Sequence, residues 1–201
     1  MTDVYIFDFG RVIIDFDEML MTTAFIKDID DAALAKDVIF DRLYWDKLDI
    51  GTISDDEVKA EICKRLPERL WEGAKKAYDK WYENLPEIKG IYEIIKRLKD
   101  EGKHLYLLSN ISEGFARGYK RVPKLNRVLS LFDGLVFSGC INMIKPNRDI
   151  YEYLLSKYSL TPQNCTFIDD SAVNVEAAKQ LGINTYRFDG DVRKLEEYIF
   201  K

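Results

Sequence analysis

A chain of 201 residues is long enough for one large domain, or for one domain carrying a smaller insert. Its 47% hydrophobic and 32% charged residues are the mix of a globular protein, and a net charge of −5 speaks against nucleic acid or an anionic membrane as main partner. Three scattered cysteines, Cys63, Cys140 and Cys165, include no C-x-x-C pair, which argues against a disulfide framework or zinc site and for a reducing cytosol.

The opening residues lead straight into a strand-like run, Val4–Phe7, with neither the basic start of a signal peptide nor a stretch that would span a bilayer. The expected location is therefore cytoplasmic. From Phe16 to Pro86 the apolar spacing is helical only, rich in Leu, Ile, Trp and Tyr. Ser54 with Glu57 forms a capping box after Gly51, and Asp15 with Glu18 gives a weaker helix start. Beyond residue 86, short apolar runs at Leu105–Leu108, Leu135–Phe137, Thr166–Ile168 and Thr185–Phe188 read as strands buried on both faces. Helical patterns alternate with them at Ile88–Glu101, Glu113–Val122, Ile150–Lys157, Val173–Leu181 and Val192–Phe200. Gly102 and Gly182 stand where glycine ends a helix. The order predicts an α/β fold, a doubly wound parallel sheet, with an all-helical insert after its first strand. The boundaries implied are a core of residues 1–15 and 87–201 and a cap of residues 16–86 over the carboxyl ends of the strands.

Four elements end in polar residues that such a sheet gathers at one mouth. The first strand ends at Asp8, the second at Ser109-Asn110, Lys145-Pro146 follows the third, and Asp169-Asp170 closes the fourth, with Asn174 one turn later. Each feature alone is an ordinary turn or cap residue; one site explains all four. Carboxylates ~4 Å apart repel by roughly 4 kcal/mol at an effective dielectric near 20, so Asp8, Asp169 and Asp170 call for a cation. Oxygen ligands without histidine or cysteine point to Mg²⁺, with Lys145 adding one positive charge. Ser109 and neighbouring N–H groups would hold phosphoryl oxygens, and Asp8 would attack phosphorus. Asn110, Lys145 and Asn174 join Ser109 as candidate substrate-binding residues. The lone histidine, His104, begins a strand as a surface residue. The basic cluster Arg117, Lys120, Arg121, Lys124 and Arg127 reads first as a solvated face.

With these residues in order, the chain resembles the haloacid dehalogenase superfamily over nearly its full length. Asp8-Phe9-Gly10-Arg11-Val12 is similar to motif I, Ser109 to motif II, Lys145 to motif III and Asp169-Asp170 to motif IV. Asp-x-Gly-x-Val with Leu-Ser-Asn and Lys-Pro resembles bacterial sugar phosphatases, particularly those acting on α-D-glucose 1-phosphate. The resemblance implies a Rossmann-like core, a helical cap of the first class, and Mg²⁺ held by Asp8, the Gly10 carbonyl, Asp169 and Asp170. It implies a nucleophile, Asp8, assisted by Lys145, and a small phosphorylated substrate. Most phosphatases of the superfamily carry an acid–base Asp two residues after the nucleophile; here Gly10 stands there, as in the glucose-1-phosphatase-like subgroup. Asp15 and Asp17 follow closely as alternative proton carriers or caps of the first cap helix. Arg42, Tyr44 and Trp45 are candidates for selectivity.

Two other functions compete. A non-catalytic phosphate-ligand-binding protein would keep the pocket without the acid at position 10. A 2-haloacid dehalogenase is disfavoured, because a halide site needs no cation and that family usually has Tyr at the Gly10 position. A monomer is the default assembly, a homodimer the alternative.

Overall fold

The structure, a computed structural model, describes residues 3–201. Five strands alternate with helices: β1 (Val4–Phe7), α1 (Glu18–Thr23), α2 (Ile29–Ile39), α3 (Arg42–Ile50), α4 (Asp55–Arg65), α5 (Trp71–Lys80), α6 (Ile91–Asp100), β2 (His104–Ser109), α7 (Glu113–Gly118), α8 (Pro123–Leu129), β3 (Gly134–Phe137), α9 (Arg148–Lys157), β4 (Cys165–Asp169), α10 (Ala172–Gln180), β5 (Asn184–Arg187) and α11 (Val192–Ile199). All pairings are parallel, in the order β3-β2-β1-β4-β5. The predicted α/β sheet is thus present, and β1 lies at its centre, where successive crossovers depart in opposite directions. That switch point opens a crevice at the carboxyl ends of the strands.

The local sequence explains the frame. Strands β1 and β4 are buried along their whole length, as their unbroken apolar runs require. Strand β5 is an edge, half-exposed, and Phe188 enters the core only after the strand has ended. Gly102 and Gly182 hold positive φ values of 77° and 81° just past α6 and α10, the backbone that glycine adopts without a Cβ clash. The Ser54–Glu57 capping box forms at the start of α4. Of the two candidate caps of the first cap helix, Asp17 and not Asp15 caps α1, accepting from the Leu20 N–H at 2.9 Å. Helix α8 was not anticipated, although Pro123 at its first turn and the spacing of Leu125, Val128 and Leu129 carry its signature.

Five helices, α1 to α5, intervene between β1 and α6 and contribute no strand to the sheet. The chain leaves and returns through adjacent backbones: the Asp15 N–H donates to Pro86 O at 2.8 Å and the Ile88 N–H to Ile13 O at 3.0 Å. Inside the insert, Trp45 packs against Phe40 at 4.9 Å between ring centroids and against Trp81 at 5.7 Å. Trp81 then stacks on Phe115 of α7 at 5.7 Å, joining the insert to the core beside the sheet. A Phe115→Ala change would remove this shared contact at a cost of about 3–5 kcal/mol. Among the described residues no helix is long and apolar enough to cross a membrane.

Candidate active site

The parallel register decides which side chains meet. Phe7 pairs with Leu107 on one side and Ile168 on the other, so Asp8 emerges level with Leu108 and Asp169, and Ser109 one residue further. The Asp8 N–H still donates to Ile168 O at 2.9 Å, which fixes its backbone against β4. Lys145 approaches on the segment before α9. Its ammonium is 2.7 Å from Asp8 Oδ1 and 2.7 Å from Asp169 Oδ2, and the residue is only 3% exposed.

The remaining contacts hold these groups in place. The Asp169 carboxylate also accepts the Ser171 N–H at 2.8 Å and both its oxygens accept the Asn174 amide at 3.1 Å. Asn110 clamps the Lys145 backbone, donating to its carbonyl at 2.9 Å and accepting its N–H at 2.8 Å. Its amide is thereby engaged, although the residue still lines the cavity. Ser109 is buried at the end of β2, and its hydroxyl makes no hydrogen bond within the protein among the described residues. The Gly10 backbone pairs with Ile14, and Arg11 beside it adopts φ 58°, a left-handed backbone uncommon outside glycine.

Electrostatics follow from burial and crowding. Burial pushes the Asp8 carboxyl up to about 6; the Lys145 ammonium pulls it down and Asp169 pushes it up again. Burial works to lower Lys145, but the Asp8 and Asp169 carboxylates outweigh it and raise the ammonium above its ordinary range. Asp170, half-buried, is raised by burial and then by Asp169. Oxygens of Asp8, Asp169 and Asp170 lie within 4.8 Å of one another. Three carboxylates with a single buried ammonium, offering oxygen donors only, suit a small hard dication such as Mg²⁺.

A cavity of about 250 Å³ opens on this group, floored by Asp8, Gly10, Ser109, Asn110, Lys145, Asp170 and Asn174. The insert supplies its roof through Phe16, Glu18, Phe40, Arg42, Trp45 and Asp49. The residues singled out for the site converge, with four exceptions: Asp169 lies directly beneath, bonded to Lys145, Tyr44 faces Arg65 at 5.5 Å, Asp15 lines a neighbouring cavity, and Asp17 caps α1. The basic cluster does brace the assembly: Arg117 pairs with Asp55 at 3.0 Å, Arg127 with Glu87 at 2.7 Å, and Lys124 donates to Leu85 O. Sequence reasoning missed Asp49, a buried carboxylate on α3. Its only sequence signal is a charge set against the Gly51 turn.

Comparison with known proteins agrees with this fold. Residues 2–182 match the family model described as haloacid dehalogenase-like hydrolase. A D-ribitol-5-phosphate phosphatase of Bacteroides thetaiotaomicron is 27% identical over 190 residues, spanning 90% of this chain and 89% of that protein. A sesquiterpene phosphatase of Aspergillus oryzae is 24% identical over 178 residues, spanning 89% and 85%. A solved haloacid dehalogenase family enzyme from Bacteroides thetaiotaomicron, in complex with magnesium and inorganic phosphate, superposes with a TM-score of 0.73 at 21% identity. That superposition covers 95% of this chain and 96% of the other.

Proposed function

The chain belongs to the haloacid dehalogenase-like hydrolases, and on that premise we propose that it is a Mg²⁺-dependent phosphatase that takes the phosphoryl group of a small sugar or polyol phosphate onto Asp8 and passes it to water. One observation carries the reading: Lys145 bridges Asp8 and Asp169 at 2.7 Å each, beside a third carboxylate and under a cavity that the insert roofs. A haloacid dehalogenase has no use for such an acidic group, because a halide needs no cation to approach the nucleophile.

The residues divide the work. Asp8 supplies the attacking oxygen, oriented by the Lys145 ammonium and by its backbone bond to β4. Asp8, Asp169, Asp170 and the Gly10 carbonyl would hold Mg²⁺. When bound, the ion offsets the carboxylate charge and polarises a phosphoryl oxygen. Ser109, whose hydroxyl is uncommitted, donates to another phosphoryl oxygen, and Lys145 neutralises charge that gathers in the transition state. Asn174 keeps Asp169 oriented and Asn110 keeps Lys145 in place, both from the cavity wall where substrate also reaches them. The insert of residues 16–86 acts as a cap that excludes water during attack on phosphorus and then readmits it.

The two named relatives act on very different phosphates, a polyol and a sesquiterpene. Here the roof mixes Arg42, Glu18 and Asp49 with the rings of Phe16, Phe40 and Trp45. Charged groups that bind hydroxyls, with rings against which a sugar face packs, favour a polyol or sugar phosphate over a terpene chain. Free cysteines fit a cytoplasmic enzyme, and a monomer contains every residue the reading uses. A Mg²⁺-supplemented screen of D-ribitol 5-phosphate, sugar 1-phosphates, sugar 6-phosphates, nucleotides and terpenyl phosphates tests the class. Preference for polyol or sugar esters is expected, and a preference for terpenyl esters overturns it.

A further inference from the structure

The alcohol of an alkyl phosphate leaves as an alkoxide unless something protonates it, and with Asp170 given to the metal the cavity floor holds no carboxyl free to do so. Asp8 is the attacker. The Asp169 carboxylate is surrounded by donors from Lys145, Ser171 and Asn174, and Lys145 is shared between two carboxylates. Gly10 has no side chain to offer. Of the acids that open the insert, Asp17 is committed to capping α1, and Asp15 faces a neighbouring cavity with Arg11 and Phe188.

The roof holds a better candidate. Asp49 sits in the last turn of α3, 7% exposed, and no donor reaches its carboxylate among the described residues. It lines the same cavity as Asp8. The turn after it is pinned to the core: Asn142 donates to Ile50 O at 2.9 Å, and a Cβ at Gly51 would come within 2.7 Å of Gly139 O. On its own helix Arg42 and Asp46 face it, and Asp8 and Lys145 face it from below; Glu18, Arg11 and Asp170 line the same space. The C-terminal end of a helix further disfavours a negative charge. Burial pushes the carboxyl up to about 7; Arg42 pulls it down, while Asp46 and Asp8 push it up.

We propose that Asp49, carried by the insert, is the proton donor to the leaving alcohol and the proton acceptor for the attacking water, a role that rests on the phosphatase reading above. As an Asp8 oxygen bonds to phosphorus, the bond from phosphorus to the ester oxygen breaks. The electron pair stays on that oxygen, which takes the Asp49 proton and departs as the neutral alcohol. Water then gives its proton to the Asp49 carboxylate while its oxygen bonds to phosphorus. The bond to Asp8 breaks with its electron pair returning to the Asp8 carboxylate, and phosphate leaves. The contacts that pin the Gly51 turn to the core keep Asp49 facing Asp8 in both steps.

The test compares kcat/KM for phenyl phosphate and p-nitrophenyl phosphate, whose leaving groups differ in their need for a proton but hardly in size. Asp49→Asn should lower the phenyl phosphate value about 10²–10⁴-fold, the usual worth of general acid help, and leave p-nitrophenyl phosphate nearly unchanged. An equal loss on both esters, or none on either, overturns the role. Wild-type protein inert toward both esters with Mg²⁺ present would instead sink the phosphatase reading itself. The wild-type pH profile supplies a check independent of the variant's folding. On phenyl phosphate kcat/KM should fall above about pH 7, with no such fall on p-nitrophenyl phosphate. Identical profiles on the two esters contradict the assignment.

Discussion

The Lys145 ammonium stands 2.7 Å from Asp8 Oδ1 in a site where Lys145 is 3% exposed and Asp8 is 9% exposed. At that burial the pair is a structural element of the fold as well as part of the proposed chemistry. The same ammonium reaches Asp169 at 2.7 Å, so a single side chain offsets two buried carboxylates from adjacent strands.

Removing it should therefore be felt in the fold. Breaking a buried ion pair by deleting one partner typically costs about 3–5 kcal/mol, because the remaining charges stay buried and unpaired. Lys145→Met should lose about that much in urea unfolding without Mg²⁺, together with its turnover. A loss below about 1 kcal/mol would mean that the carboxylates are protonated or solvated, against the geometry.

Magnesium should stabilise the folded chain. A ligand that binds only the native state adds about 2.7 kcal/mol at one hundred times its Kd. Titration with Mg²⁺ should raise Tm accordingly, and Asp170→Asn, at a half-buried position, should remove most of the rise while leaving the ion-free Tm nearly unchanged. An equal Mg²⁺ response in both proteins would place the ion elsewhere.

Asp49 gives stability a pH dependence of opposite sign to the usual aspartate. Its folded carboxyl is pushed up to about 7 by burial, from an unfolded value of 3.8. Between these values the native chain holds a proton that the unfolded chain has lost, so stability falls as pH rises through that window. The penalty is complete above about pH 7 and is roughly 4 kcal/mol as an upper bound. Asp49→Asn should therefore be more stable than wild type at pH 8 and nearly equal at pH 4, measured by denaturant unfolding at each pH. A difference that does not change with pH would contradict the buried, partnerless carboxyl.

Gly51 is the point where α3 meets the core, with φ 77° and no space for a Cβ beside Asn142 and Gly139. Gly51→Ala should cost at least about 1–2 kcal/mol from the left-handed backbone alone. Because the same turn positions Asp49, the variant should also lose kcat/KM on phenyl phosphate by a larger factor than on p-nitrophenyl phosphate. Equal losses on the two esters would separate the turn from the proton transfer.

Much of this was legible in the sequence because the signals were local. Buried parallel strands leave unbroken apolar runs, and the polar residues that close them stand where the register must gather them. Val4–Phe7 followed by Asp8, and Cys165–Ile168 followed by Asp169, are read directly from the chain. Asp15 and Asp17 offer a helix start the same chemistry, and only hydrogen bonding in the fold selects Asp17 as the cap. Helix α8 was hidden in a basic cluster whose charges turn outward to Glu87 and Leu85 while Leu125 and Val128 turn inward. Asp49 was invisible for a deeper reason. In Asp-Ile-Gly at the end of an amphipathic helix a carboxylate reads as solvated, and its burial arises only when Asn142, 93 residues later in the chain, docks the turn.

The proposed chemistry turns on Asp8 taking the phosphoryl group. The direct measurement is turnover of p-nitrophenyl phosphate with Mg²⁺ by wild type and Asp8→Asn, paired with mass analysis of acid-quenched protein. Wild type should hydrolyse the ester and carry one added phosphoryl group on the peptide that contains Asp8, and Asp8→Asn should do neither while keeping its fold. Turnover by Asp8→Asn at the wild-type rate, or a phosphoryl group on any other residue, would contradict the account.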